Sequence, residues 1–158
     1  MRRFGVGLVA LGVVPLLASC LAGRPVTQAG DGSAADQALG SFEVASRTLG
    51  DATFSPAECS SGDPQLFLGV DFAEPGRDLI LRLAVDPLEG PGVRLYSATA
   101  PFDRSVVFRR ADCSVFHFSL DSTGWRVNRV EDYRVTLELD CARPGERVRG
   151  RASSTHCH

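Results

Sequence analysis

Residues 132–141 read Asp132-Tyr133-Arg134-Val135-Thr136-Leu137-Glu138-Leu139-Asp140-Cys141, and in them apolar and polar side chains alternate without a break. A period of two puts successive side chains on opposite faces of a strand, so Tyr133, Val135, Leu137 and Leu139 line one face and Arg134, Thr136, Glu138 and Asp140 the other. Just downstream, Arg143-Pro144-Gly145-Glu146 has turn chemistry. Beyond it Val148, Gly150, Ala152 and Ser154 stand opposite Arg147, Arg149 and Arg151 in a further strand.

Upstream the same period recurs. Leu66, Leu68, Val70 and Phe72 form one set, and Leu79, Leu81, Leu83 and Val85 another, with Glu74-Pro75-Gly76-Arg77 between them. Asp86-Pro87 through Gly92 closes the second set. Val93 and Leu95, then Val106 and Phe108, then Phe116, Phe118 and Leu120 continue the series, and Trp125 with Val127 reads as another short strand. Seven or eight strands at short spacing, with no long amphipathic helix among them, predict an all-β chain, an antiparallel β-sandwich, with a small β-barrel as the alternative. Leu39, Phe42, Ala45 and Leu49 fall near helical spacing and suggest a short peripheral helix within residues 34–49, weakened by Gly40 and Gly50.

Composition bounds the class. The 158 residues are 44% hydrophobic and 23% charged, with 17 basic side chains, all Arg, against 19 acidic ones. That suits one compact domain, and the near-balance of charge argues against a nucleic-acid binder. Sixteen Gly and nine Pro are too few for a collagen-like or wholly disordered chain.

Met1 to Ser19 reads as an export signal. Arg2 and Arg3 supply the charged start, Phe4 to Leu17 the apolar stretch, and Ala18 and Ser19 are small. The stretch is shorter than the ~20 residues that cross a bilayer, and Pro15 interrupts it. Leu17-Ala18-Ser19-Cys20 resembles the bacterial lipobox, in which an aliphatic and two small residues precede a cysteine that receives lipid. The resemblance to cell-envelope lipoproteins implies that the Cys20 thiol takes a diacylglyceryl thioether, that cleavage falls before Cys20, and that the new amine is acylated. Two or three acyl chains anchor stably where one myristoyl chain binds only marginally. Leu21 follows Cys20 where the enteric retention signal has Asp, so the resemblance implies the outer membrane rather than the inner one. An ordinary signal peptide cut near Ala18 is the plain alternative.

The expected organisation is a lipoprotein signal peptide over residues 1–19, a lipidated cysteine and flexible tether over 20–41, and the sandwich over 42–158. Gly23, Pro25, Gly30, Gly32 and Ser33 give the tether its coil-like composition. Five cysteines are odd, but setting Cys20 aside leaves Cys59, Cys113, Cys141 and Cys157, enough for two disulfides in an exported chain with three possible connectivities. Pairing Cys113 with Cys141 and Cys59 with Cys157 ties neighbouring strands and then the first strand to the last. One difficulty is parity: Cys113 lies off the face of Phe116, Phe118 and Leu120, whereas Cys141 continues the face of Leu137 and Leu139. A bulge or a strand end reconciles them; otherwise Cys113 pairs elsewhere.

The search for chemistry is short. His156-Cys157-His158 holds metal-ligand types, but Cys157 is required for the disulfide count and no third and fourth ligand are defined, so no metal site is expected. His117, between Phe116 and Phe118, is the one candidate base, without a recognisable nucleophile beside it. Ser60-Ser61-Gly62-Asp63-Pro64 and Asp71 invite a calcium or acid–base reading, yet match a turn before a strand better. Arg147, Arg149 and Arg151 suit either an anion or the protection of a sheet edge. Trp125, Tyr96 and Tyr133 are ordinary in number for a small β-domain. The expectation is a non-enzymatic binding or structural module, without cofactor, held to the membrane by lipid on Cys20 and meeting an envelope protein or a polysaccharide. A small-ligand or lipid carrier, and a hydrolase using His117, are the alternatives.

Overall fold

The computed structural model describes residues 39–101 and 103–158. Cys20, the signal segment and most of the expected tether lie outside the described residues. Among those described, ten strands are present: β1 (Leu39–Ser46), β2 (Ala52–Phe54), β3 (Glu58–Ser61), β4 (Gly69–Ala73), β5 (Ile80–Asp86), β6 (Gly90–Tyr96), β7 (Ser105–Arg109), β8 (Cys113–Val127), β9 (Val130–Arg143) and β10 (Glu146–Ser154). They form two antiparallel five-stranded sheets, in the orders β2-β1-β10-β9-β8 and β3-β4-β5-β6-β7. The architecture is therefore an open sandwich and not the barrel alternative.

Period-two patterning places the core. Phe42, Val44, Val135, Leu137, Leu139 and Val148 of the first sheet face Val70, Phe72, Leu81, Leu83, Val93, Leu95 and Phe108 of the second, all buried. Removing each large side chain from water contributes about 1.5–3 kcal/mol. β9 touches both edge strands of the second sheet, β3 and β7. The Glu131 N–H near its start donates to Asp63 Oδ2 beside β3 at 2.9 Å, and near its other end the Arg143 guanidinium lies 5.8 Å from the Phe108 ring centre on β7. β9 thus runs from one edge of the second sheet to the other.

Several expectations change. No helix forms between Leu39 and Ser46; these residues make β1, paired with β10 along its whole length. Phe42 and Val44 are both buried, so the period that matters is two and not 3.6. Tertiary pairing overrides a weak local pattern here. The strands therefore start at Leu39, ahead of residue 42. Leu66 and Leu68 belong to no strand: Pro64 sits in a 3-10 turn, Asp63–Gln65, Leu66 follows it with φ 60° and ψ 38°, and β4 starts only at Gly69. Trp125 and Val127 are the end of the long strand β8 and not a separate strand.

The arginine strand is also placed differently. β10 is the central strand of its sheet, so Arg147, Arg149 and Arg151 protect no edge. They take the outer face because Val148, Gly150, Ala152 and Ser154 must take the inner one. Gly150, with φ +147°, lies opposite Phe42; a Cβ there would stand 2.1 Å from the Ser41 carbonyl oxygen and 2.8 Å from the Phe42 ring. The Phe42 ring occupies the space that the missing side chain leaves.

Candidate functional site

Three polar constellations stand out from this scaffold. The first holds the C-terminus. Asp132, on β9 and 1% exposed, accepts from Thr123 Oγ1 at 2.6 Å and from the Cys157 N–H at 3.0 Å, and its Oδ2 lies 2.9 Å from His156 Nδ1. His158 Nδ1 lies 3.6 Å from the other oxygen. Burial pushes the Asp132 carboxyl up, but the bonds from Thr123, His156 and Cys157 outweigh it and hold it below its ordinary value. Cys157 is bonded to Cys59 of β3, and its carbonyl accepts from the Tyr133 N–H at 3.1 Å. The His-Cys-His tail is thus a clasp: the sulfur joins the second sheet and both imidazoles turn toward one buried carboxylate of the first. Among the described residues no three His, Cys, Asp or Glu side chains are grouped to hold a metal ion.

The second disulfide is Cys113–Cys141. The two residues are register partners across β8 and β9, and a bulge between Cys113 and Val115 supplies the change of face that plain alternation forbids.

The second constellation covers the outer face of the β3–β7 sheet. Asp71 and Arg82 are cross-strand partners on β4 and β5, and both point away from the core. Arg82 donates through Nε to Asp71 Oδ1 at 2.8 Å and through Nη2 to Oδ2 at 2.7 Å, and Nη2 also reaches Tyr96 Oη at 3.1 Å and Gln65 Oε1. The Phe67 ring lies over the guanidinium, 4.0 Å from its centre. Burial and the Asp71 charge push the Tyr96 hydroxyl up to about 12 against the pull of Arg82, so it stays protonated and donates to Asp71 at 3.1 Å. Asp71 is therefore the seat of a fully paired network that pins the 62–68 loop to the sheet. Both of its carboxylate oxygens bond within the fold, to Arg82, Tyr96 and Gln65.

The third constellation is a groove on the outer face of the other sheet, of ≈ 610 Å³, whose floor is crossed by β8, β9 and β10. His117 lies here, opposite Glu138, which lies opposite Arg151. None of these three makes a hydrogen bond or ion pair among the described residues, and no nucleophile is brought to the imidazole: Ser119 Oγ is 2.9 Å from Thr136 Oγ1 instead. The adjoining row contrasts with it. Glu43 Oε2 accepts from Arg149 Nε at 2.8 Å, and Asp140 accepts from Arg147 Nη2 at 2.9 and 3.0 Å. Exposed pairs of this kind contribute little to stability but fix side-chain positions.

The Asp71–Arg82 pair carried a partial signal, since each residue interrupts a run of core positions on its strand, but Asp71 lies three residues before Glu74 and Arg82 five after Arg77, and only the observed register brings them opposite. Phe67 and Asp132 carried no such signal. The class defined by this geometry is a disulfide-bonded antiparallel β-sandwich with a groove on its outer face that holds His117, Glu138 and Arg151. Comparison with protein-family models, with curated proteins and with solved structures finds no match to the chain.

Proposed function

We propose that the chain is a lipid-anchored bacterial envelope protein whose sandwich is a non-enzymatic binding module. The observation that carries the anchoring is the cysteine accounting. Cys59, Cys157, Cys113 and Cys141 are consumed in two disulfides, which suits an oxidising, exported setting, and Cys20 is the remaining cysteine of the five. Its place behind Leu17-Ala18-Ser19 supports lipid as its fate, and Leu21 supports the outer membrane as the destination.

The groove at His117, Glu138 and Arg151 supports binding as the task. Three ionisable side chains standing side by side without partners among the described residues, next to a row in which every charge is paired, keep their bonding capacity for a ligand. Flanked by Ser119, Thr136 and Ser153, they suit the hydroxyls and occasional charges of a polysaccharide, or a polar protein edge. The reading is tested on protein purified from its own membrane. The expected result is an N-terminal peptide starting at Cys20 with the mass of its acyl chains, and glycan binding that weakens in Arg151→Ala and Glu138→Ala at unchanged melting temperature. An unmodified Cys20 refutes the anchor, and glycan or partner binding indifferent to both substitutions refutes the groove.

A further inference from the structure

The end of the β8–β9 hairpin carries an arrangement that neither core nor groove explains. Between Ser122 and Arg126 the register of β8 against β9 shifts, leaving Thr123, Gly124 and Trp125 opposite the single residue Asp132. Thr123 is drawn to Asp132, Gly124 takes φ +77°, and Trp125 is turned out to 75% exposure. Trp125 is the only tryptophan in the chain. Val127 is 39% exposed two residues on, and Arg129 at the tip is exposed with φ +73° and makes no ion pair among the described residues.

Leu66 stands at the same corner, because the 3-10 turn before it is held to Glu131 of β9 through Asp63. It is 95% exposed in a left-handed conformation that a leucine adopts only at a cost. Among the described residues nothing covers enough of its side chain to repay that cost, which points to a role outside the fold. Strain and a bulge thus present Leu66, Trp125 and Val127 outward, with Arg129 beside them.

The position of the chain entry says what meets this corner. Leu39 pairs with Ser153, which pairs with Thr136, and the hairpin runs on from Thr136 to Val130 at the same end of the sheet. Six residues of strand beyond that row project by about 20 Å. On the anchored reading the lipid is attached nineteen residues ahead of Leu39, and Leu39 lies at the end of the sheet from which the hairpin tip projects. Tryptophan concentrates at the interface of bilayers, and an arginine beside it suits anionic headgroups.

We infer that Trp125, Val127 and Leu66 form a tip that inserts into the headgroup boundary of the bilayer, with Arg129 on its phosphates, and fixes the orientation of the sandwich over the membrane. The inference rests on the anchored reading, and its test separates the two. In the mature chain from Cys20, produced without lipid and with its disulfides intact, Cys20 is the free thiol and can be joined to a maleimide headgroup in phosphatidylethanolamine–phosphatidylglycerol vesicles. The anchor is then supplied chemically, whatever the cell does with Cys20. Trp125 emission is the readout.

The expected result is a shift to shorter wavelength on conjugation and loss of most of the emission when the vesicles carry brominated acyl chains. In Leu66→Ser and Val127→Ser, with unchanged far-ultraviolet circular dichroism, the quenching should fall substantially. Emission that is equal in brominated and plain vesicles overturns the inference, as does quenching that both substitutions leave unchanged. A shift that appears without vesicles and grows with protein concentration overturns it too, assigning the corner to a second copy of the chain. The mass of the native N-terminal peptide decides the anchored reading independently.

Discussion

Replacing Cys59 and Cys157 together by Ala should destabilise the domain more than replacing Cys113 and Cys141. The first bridge spans 98 residues of chain and the second 28. If a cross-link acts by restricting the unfolded chain, the loop-length relation gives ~4.7 kcal/mol for the first and ~3.6 kcal/mol for the second at 25 °C. The roughly 120 residues from Leu39 to His158 unfold with about 0.25 kcal/mol/K of entropy, so the melting temperature should fall by about 19 °C and 14 °C respectively. Native-state burial acts in the same direction, because Cys59 and Cys157 are both buried while Cys113 is partly exposed. The assay is calorimetric melting of the non-reduced double variants, with urea titration for the free energies. A larger drop for Cys113→Ala/Cys141→Ala, or drops below about 4 °C for both, would refute the reasoning, because loop length would then not govern the effect.

Further outcomes follow from the polar networks and the strained turn. Arg82→Met should cost about 3–5 kcal/mol by leaving Asp71 buried without its partner, and the pair Arg82→Met/Asp71→Leu should recover much of it; urea midpoints of the single and double variants decide this. The Asp132 carboxyl is held low in the folded protein, so its contribution is fully present above the unfolded carboxyl's range and is lost as pH falls below it. Stability of Asp132→Asn should accordingly be lower at neutral pH and fall less steeply on acidification, and parallel pH curves for the two proteins would contradict the assignment. Leu66→Gly should stabilise by about 0.5–1 kcal/mol, since relief of ~1–2 kcal/mol of left-handed strain exceeds the glycine entropy cost and almost no burial is lost. A lower melting temperature in that variant would show that Leu66 is held by the fold after all.

Legibility divides along physical lines. The alternation over residues 132–141 and 147–154 survives in the structure because a strand with one buried face has no freedom to change its pattern. The β4–β5 hairpin is local too, but its register is not centred on Glu74–Arg77: Ala73 pairs with Ile80 across a six-residue connection, and that offset sets Asp71 against Arg82. Phe42 and Val44 were obscured because a strand read between two glycines also satisfies a loose helical spacing, and only the long ladder with β10, over a hundred residues away, decides between them. Leu66 and Leu68 continued an apolar pattern that Pro64 and the left-handed turn cut short. The groove was half visible: His117 was identified, but Glu138 and Arg151 join it only through the pairing of three strands.

By itself the sequence determined the all-β class, the inward and outward faces of the strands, and the even cysteine set that leaves Cys20 over. These are properties of local periodicity and of counting. Tertiary structure alone decided that β10 is central, that β9 spans the second sheet from edge to edge, that His156 and His158 close on Asp132, and that a bulge turns Trp125 outward. Each depends on which distant strands pair and in what register, and that choice is made by the packing of one shared core, which no window of the chain contains.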